Sequence, residues 1–272
     1  NGRVVEDPVG ALSSTVTVSG QVILADKNYV RQLTNIFRKA NIEIDGIVPN
    51  VLAQRSLILD VNELTDNVMI VDIGAGNTDI GVFNGNTFMY ANTIPLGGDS
   101  ITNDIAQVFY ITEEEAERLK KQYALALRSF IDNDTDIMLT TYKGDEKNKT
   151  IKSSELIEVI EARIEEIFSL INKQITSLGI KTNINNVILT GQGITCISKS
   201  DVAGKIVLNI PVKIATGRMI STIKPAYRSS FALVKYVSNR PYAKNVASKI
   251  DIKSNENFMR TILERIKEFF YT

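Results

Sequence analysis

The pattern of hydrophobic and polar positions predicts three consecutive strands in the first half of the chain. Residues 68–73 have the composition of a buried strand, residues 79–83 form a second and residues 87–94 form a third. An Asn-Gly-Asn sequence between the last two favours a hairpin turn. A helix is predicted next, with Asp99 or Ser100 as its N-cap. The order of this unit is therefore strand, strand, strand, helix.

A helical and polar segment interrupts this α/β pattern. A capping-box spacing at residues 112–115 predicts a charged helix that runs to about Leu127. A polar stretch follows with one strand candidate at 136–142, and then apolar positions at helical spacing predict a long helix over 156–175. We interpret residues 111–182 as an inserted α+β subdomain.

The α/β pattern then resumes. Residues 187–190 predict a strand, which is followed by a glycine-bearing turn, a short helix, a strand near 212–215 and a small-residue helix over 225–237. The main α/β domain is therefore predicted to consist of residues 51–110 and 183–243.

The beginning of the chain predicts a separate small unit. Residues 12–24 alternate like one bent strand or two short ones, residues 30–40 have helical spacing, and residues 42–47 resume an extended pattern. Residues 1–50 therefore form an α+β unit that is too short to be a complete domain.

The end of the chain predicts a polar linker at 244–257 and an amphipathic helix at 258–272. Its apolar face consists of Phe258, Met259, Ile262, Leu263, Ile266, Phe269 and Phe270. Such a helix can lie in a membrane interface or dock on the core of its own protein. The linker favours the membrane, because a docked helix seldom needs a long tether.

Composition excludes several classes of function. The 272 residues include 31 basic and 31 acidic side chains, so no overall charge favours nucleic acid. There is no histidine, which excludes hydrolases built on a histidine dyad or triad, and Cys196 has no partner for a disulfide. The chain begins at Asn1, without a signal peptide or a run of about 20 apolar residues. We expect a cytoplasmic protein that lacks its beginning.

A turn that begins and ends with a carboxylate lies between the first two predicted strands, from Asp72 to Asp79. Gly74 and Gly76 would let an anionic group approach backbone N–H donors, which can hold a phosphate. Asp72 could hold a hydrated magnesium ion beside that phosphate. The alternative is a hairpin whose glycines only satisfy a positive φ.

A second glycine turn, Gly191-Gln192-Gly193, follows the strand at 187–190. It could let a nucleobase or ribose lie against the backbone, or it could be an ordinary strand-to-helix turn. Because ligands of α/β sheets bind at the carboxyl ends of strands, two such turns predict one cleft.

At these motifs the sequence resembles the actin-like ATPases, and most closely the FtsA family of bacterial cell-division proteins. The second phosphate loop of these proteins is similar to Asp72–Asp79, and their adenosine motif to Leu189–Gly193. Two further runs, Ile94–Ala106 and Ala116–Lys120, resemble the FtsA family in particular. Ala75, Gln192 and Ala124 stand where the family usually has glycine.

The resemblance implies an actin-like, ribonuclease-H-like α/β fold with an inserted subdomain and part of the family's extra, SHS2-like subdomain at residues 1–50. It implies ATP and Mg2+ as ligands. Phosphate contacts would come from Gly74, Ala75, Gly76, Asn77 and Thr78, nucleoside contacts from Glu117, Lys120, Gly191, Gln192 and Gly193, and the metal contact from Asp72. Without the family, Glu117 and Lys120 are an ordinary surface pair. The first phosphate loop is expected outside this chain, which would hold about half of the cleft.

The resemblance also implies a function. The chain would tether FtsZ filaments to the cytoplasmic membrane at the division septum, with the FtsZ C-terminal peptide docking on 111–182, the membrane bound through 258–272, and self-assembly through 1–50. No residue is a clear catalytic base, so any ATP turnover is expected to be slow. Two alternatives stay open: an adaptor like PilM, which binds a peptide of a pilus-assembly partner, and a metabolite kinase of the same fold.

Overall fold

A computed structural model describes residues 22–59, 66–139, 149–216 and 227–238, with single positions at 12, 14, 15, 17 and 223. The chain divides into two compact units, Asn1–Ile47 and Val48–Thr272. The predicted linker at 244–257 and amphipathic helix at 258–272 lie outside the described residues.

The first unit contains one described helix, α1 (Lys27–Lys39). The Asp26 carboxylate begins it by accepting a hydrogen bond from the Tyr29 N–H at 2.8 Å, and Asn41 follows its end at a φ of +56°. The helix predicted over 30–40 is therefore confirmed. Residues 22–26 and 42–49 have no regular secondary structure, so the described part of the segment predicted as strand over 12–24 is not a strand.

The second unit contains the remaining elements. Its strands are β1 (Asn67–Ile73), β2 (Thr78–Asn84), β3 (Thr87–Ile94), β4 (Asp136–Leu139), β5 (Lys149–Lys152), β6 (Asn186–Thr190) and β7 (Val212–Ile214). Its helices are α2 (Asn50–Ile58), α3 (Gly98–Phe109), α4 (Glu113–Gln122), α5 (Ser153–Ser177), α6 (Ser200–Leu208) and α7 (Arg228–Ser238). These elements match the predicted strand, strand, strand, helix unit and the later strands.

Among the described residues, the main sheet has five strands in the order β3-β2-β1-β6-β7. The three consecutive strands pair antiparallel, whereas β1 pairs parallel with β6 and β6 with β7. Asp72 is the register partner of Thr190 on one side and of Asp79 on the other. The ends of β1 and β6, and the turns that follow them, therefore lie at the same edge of the sheet.

The central strand β1 is buried on both of its faces. Met69 and Val71 belong to one core, with side chains of α3, α4, α5 and α6, whereas Val68 and Ile70 belong to a second core with α2 and α7. A central strand buried on both faces is apolar along most of its length, which is why β1 was recognisable as a continuous run.

The segment at 111–182 contains α4, the two-stranded sheet of β4 and β5, and α5. The long helix is confirmed, and it begins at Ser153, where the Asp134 carboxylate accepts from the Ser154 N–H at 2.9 Å. Gly179 follows the end of α5 at a φ of +67°. Arg163 on α5 donates two hydrogen bonds to the Asp104 carboxylate on α3, at 2.5 and 2.7 Å.

Two predicted boundaries are wrong. Helix α4 ends at Gln122 and not near Leu127, because the next residues are extended and pair with Ser198, whose N–H donates to the Ala124 carbonyl at 2.9 Å. Helix α3 has Gly97 as its N-cap and not Asp99 or Ser100. No helix among the described residues is long and apolar enough to cross a membrane.

Candidate functional site

The two glycine turns meet at one edge of the sheet, together with the start of α3. The Gly193 N–H donates to the Ile73 carbonyl at 2.9 Å, and the Gly98 N–H donates to the Gly74 carbonyl at 2.9 Å. The Asp99 N–H also donates to the Ala75 carbonyl, at 2.8 Å. Three segments that are distant in sequence are thus joined by backbone hydrogen bonds, and we name this contact the glycine junction.

Two glycines of the junction are required by its geometry. A Cβ on Gly193 would lie 2.2 Å from the Gly74 carbonyl oxygen, and a Cβ on Gly191 would lie 2.2 Å from that of Ile73. Gly191 also has a φ of +93°, which side chains rarely adopt. These two glycines therefore allow protein segments to approach each other closely, and the predicted approach of a ligand to them stays a prediction.

A pocket of about 260 Å³ opens beside the junction. Twelve residues line it, from the turn after β1, the turn after β6, helix α2 and the start of α7: Asn50, Gln54, Asp72, Gly74, Ala75, Asn77, Asp79, Thr190, Gly191, Gln192, Arg228 and Ser229. Nine of these residues carry polar side chains and two are glycines, so that Ala75 alone among the twelve has an apolar side chain. Such a lining suits a charged, hydrogen-bonding ligand.

The structure divides the sequence-predicted site residues into three groups. Asp72, Gly74, Ala75, Asn77, Gly191 and Gln192 line the pocket. Gly193 and Thr78 are buried beside it, and the Thr78 hydroxyl donates to the Leu96 carbonyl at 2.8 Å. Gly76 is exposed at the tip of its turn, and Glu117 and Lys120 form a separate cluster.

Asp72 is the most buried carboxylate of the pocket, with 8% of its surface exposed. Its Oδ2 accepts hydrogen bonds from Asn50 Nδ2 at 2.8 Å and from Gln54 Nε2 at 2.6 Å, whereas its Oδ1 accepts none from the residues that the structure describes. Burial raises the pKa of Asp72, and the charge of Asp79 adds to this effect. The two amides and the charge of Arg228 oppose it.

Asp79 faces the same pocket from β2. Its Oδ1 accepts from the Thr93 hydroxyl at 2.7 Å and from Asn77 Nδ2 at 3.2 Å. Two carboxylates therefore line one pocket, and repulsion between them favours a bound cation. Among the described residues no group of three or more acidic, histidine or cysteine side chains surrounds a metal position, so the protein would supply only part of a coordination shell.

Six pocket residues were not among the predicted site residues. Asp79 and Thr190 lie within the two predicted motifs, whereas Asn50, Gln54, Arg228 and Ser229 lie outside them. Asn50 and Gln54 are four residues apart, which places their amides on one face of a helix. That spacing would have been a useful signal if the sequence had predicted α2. The sequence did not predict it, because most α2 residues are buried and the helix shows little amphipathic pattern.

Glu117 and Lys120 belong to a charged cluster next to the start of α3, in which Lys120 is buried and Glu117 is partly exposed. Lys120 is 5% exposed, and its ammonium donates to the Gly98 carbonyl at 2.9 Å and the Thr102 hydroxyl at 2.8 Å. It also lies 2.5 Å from Glu117 Oε2. The surface-pair interpretation is therefore wrong for Lys120, and Gly98 connects this cluster to the glycine junction.

The Glu117 carboxylate is held in its ionised form. Partial burial works to raise its pKa, but hydrogen bonds from Lys120, Thr102 and Lys121 prevail and lower the pKa to about 2. The Glu117 carboxylate therefore stays ionised across the physiological pH range.

The family model of the cell division protein FtsA matches residues 69–232, more than half of the chain. The chain belongs to the FtsA family. The FtsA of Bacillus subtilis is 30% identical over 258 residues, which cover 95% of this chain and 58% of that protein. The FtsA of Pseudomonas aeruginosa is 25% identical over 276 residues, 99% of this chain and 66% of that protein. The chain thus spans less than two thirds of these FtsA relatives.

Solved structures with a similar backbone confirm the predicted actin-like fold. MreB5 of Spiroplasma citri bound to ADP superposes with a TM-score of 0.64 at 18% identity, covering 82% of this chain and 68% of that one. The PilM-PilN type IV pilus biogenesis complex gives a TM-score of 0.57 at 14% identity, covering 78% of this chain and 58% of that one. At these identities the likeness concerns the fold alone.

Proposed function

We propose that this chain binds ATP at the glycine-bearing edge of its sheet and acts in cell division as a tether of FtsZ filaments. The observation that carries the ATP proposal is the meeting of the two glycine turns beside one polar pocket. Two S. citri MreB5 structures of the same fold are bound to ADP and to AMPPNP. This likeness supports a nucleotide as the ligand.

The phosphates would lie against the turn after β1, and the nucleoside against the turn after β6. The first turn contains Gly74, Ala75, Gly76, Asn77 and Thr78. Within the described part of the chain the backbone amides of Gly76 and Asn77 donate no backbone hydrogen bond, so they could donate to phosphate oxygens. Gly191, Gln192 and Gly193 would hold the base or ribose. Glu117 and Lys120 stay predicted nucleoside contacts, although Lys120 already has three protein partners.

Magnesium fits the residues around Asp72. Magnesium usually keeps several waters and takes one or two carboxylates together with phosphate oxygens. The pocket offers the carboxylates of Asp72 and Asp79, and Asp72 Oδ1 accepts no hydrogen bond from the described part of the chain. When bound, the metal would neutralise phosphate charge, and Asp72 would hold it at the end of β1.

A photo-crosslinking experiment tests the nucleotide proposal. The chain is irradiated with 8-azido-ATP, with and without excess ATP, and the labelled peptides are identified by mass spectrometry. We expect label that ATP displaces, within residues 189–193 or 113–123. Label that ATP does not displace, or that maps to the first unit, would overturn the proposed site.

The tether proposal rests on membership of the FtsA family and on the amphipathic sequence at 258–272. We propose that the FtsZ C-terminal peptide docks on 111–182, that 258–272 binds the cytoplasmic membrane at the septum, and that residues 1–50 take part in self-assembly. ATP would then serve as a structural ligand with slow or no turnover. The match of the family model favours this function over a pilus adaptor or a metabolite kinase.

Sedimentation with anionic liposomes and a fluorescent FtsZ C-terminal peptide tests the tether. The chain should carry the peptide into the liposome pellet, and deletion of 258–272 should remove both from the pellet while the peptide still binds in solution. A chain that sediments equally well without 258–272 would contradict the membrane assignment. The docking assignment would be contradicted if substitutions outside 111–182 abolished peptide binding and substitutions within 111–182 did not.

A further inference from the structure

The side-chain amides of Asn50 and Gln54 converge on one oxygen of Asp72. Their nitrogens lie 2.8 and 2.6 Å from Oδ2 and donate hydrogen bonds to it. The other oxygen, Oδ1, lies beside Gly191, where a Cβ would come within 2.4 Å of it. One carboxylate oxygen is thus fixed by the protein, and the other accepts no hydrogen bond from the described residues.

We propose that Asn50 and Gln54 are positioning residues that hold the Asp72 carboxylate for magnesium-assisted ATP binding. This inference rests on the proposed function. Hydrogen bonds from outer residues to a ligating side chain fix its orientation, and they often matter for metal affinity nearly as much as the ligand itself. Two amide donors suit this role because they stabilise the ionised carboxylate without adding a competing charge.

The helix that carries both amides is firmly anchored. Val51, Ala53 and Leu57 of α2 are buried, and α2 packs against α7. Gln54 Nε2 also lies 3.3 Å from the Ser229 hydroxyl at the start of α7. The position of Asp72 is therefore set from two helices as well as from its own strand.

The two ends of the buried Gln54 amide differ in their hydrogen bonding. The residue is 3% exposed, yet its Oε1 has no hydrogen-bond partner among the described residues. A buried polar atom without a partner costs stability. Within the described part of the chain, the Gln54 amide makes its polar contacts through Nε2 alone, to Asp72 and Ser229.

The test compares ATP affinity in magnesium with ATP affinity in EDTA, using a fluorescent ATP analogue and the full 272-residue chain. The ratio of the two dissociation constants is the magnesium gain. Gln54→Leu removes the amide and should reduce the gain about 10-fold, within the range known for outer-shell partners of metal ligands. Its affinity in EDTA is measured in parallel, so that an effect on magnesium-assisted binding is separated from a general effect on ATP binding.

Two further variants keep the test decisive. Asn50→Ala removes the other donor and should also reduce the magnesium gain, so the inference can be judged even if Gln54→Leu does not fold. Ser56→Ala, on the same helix, removes a hydroxyl that donates only to the Ala53 carbonyl at 2.9 Å, and should leave the gain unchanged. Melting temperatures in EDTA verify that each variant is folded.

The outcomes separate this inference from the proposed function. If both Gln54→Leu and Asn50→Ala keep the magnesium gain of the wild-type chain, the positioning role is wrong. Magnesium-assisted binding itself would still stand. A wild-type chain that binds ATP equally in magnesium and EDTA would overturn the magnesium role of Asp72, and the positioning role with it. A reduced gain with unchanged affinity in EDTA supports both.

Discussion

Two buried charged groups beside the glycine junction differ in how completely the protein supplies their hydrogen-bond partners. The Lys120 ammonium has three oxygen partners, from the Gly98 carbonyl, Thr102 and Glu117. The Asp72 carboxylate has donors on Oδ2 only, and a second carboxylate, Asp79, faces the same pocket. A buried charge is costly unless it is paired and hydrogen-bonded. Lys120 meets that condition within the protein, whereas Asp72 meets it only in part.

The difference separates a charge that stabilises the fold from one that is available to a ligand. The Lys120 cluster joins α3 to α4 and should matter for stability. The pocket around Asp72 is held in shape by surrounding backbone and amides, and should matter for binding. Substitution of Lys120 should therefore lower the free energy of unfolding. Substitution of Asp72 should change that free energy little and should weaken magnesium-assisted ATP binding.

The largest effect on stability is expected at the glycine junction, which lies next to both Lys120 and Asp72. Gly193→Ala places a Cβ 2.2 Å from the Gly74 carbonyl oxygen, and this backbone contact can be relieved only by moving the turns. We expect a loss of about 3 kcal/mol in the free energy of unfolding, measured by urea denaturation. Gly76→Ala is the matched control, because its Cβ would meet nothing within 4 Å, and a similar loss there would contradict the account.

A smaller loss is expected at the satisfied charge. Lys120→Met leaves the Gly98 carbonyl and Glu117 without their cation, and should cost roughly 2 kcal/mol, below the usual range for buried pairs because the Glu117 side chain is 36% exposed. Lys121 contacts the same carboxylate at 3.1 Å, but its side chain is 64% exposed. Lys121→Met should therefore cost less than about 0.5 kcal/mol. Equal losses would show that the Lys120 cluster is not a buried, satisfied pair.

The same cluster predicts a pH dependence. Hydrogen bonds lower the pKa of Glu117 from 4.5 to about 2 in the folded chain, so the unfolded chain takes up the proton first as pH falls. This contribution to stability is complete above pH 4.5 and is lost as the pH falls toward 2. Glu117→Gln should flatten the fall of melting temperature over that window. If the melting temperature of Glu117→Gln falls with pH as steeply as that of the wild type, other carboxylates account for the loss of stability in acid.

The smallest stability effect is expected at Asp72. Because burial raises the pKa of Asp72, its ionised form costs stability at neutral pH. Asp72→Asn keeps an acceptor oxygen for Asn50 and Gln54, and the free energy of unfolding should be within about 1 kcal/mol of wild type or higher. The magnesium gain in ATP affinity should nevertheless disappear. A large loss of stability would place Asp72 with Lys120 as a structural charge.

Local sequence signals were sufficient for much of the fold. The strands β1, β2, β3 and β6 and the helix α5 were predicted because burial leaves continuous or periodic apolar positions. The turn glycines were recognisable from their spacing alone. The capping box at 112–115 is present in part, since the Glu115 N–H donates to the Thr112 hydroxyl at 3.2 Å.

The features that were missed depend on contacts between distant segments. Helix α2 is buried on most sides and therefore lacks a distinct polar face, and the role of its Asn50 and Gln54 requires its packing beside β1. The end of α4 is set by pairing of residue 125 with Ser198, which no local pattern shows. The resemblance to a family identified Lys120, but its burial could not be read from a charged helix.

A crystal structure of the chain grown with AMPPNP and manganese in place of magnesium tests the central claim most directly. We expect the nucleotide between the turns at 74–78 and 191–193, with an anomalous manganese peak bound to Asp72 directly or through one water. Nucleotide density away from these turns, or a manganese peak remote from Asp72, would contradict the account.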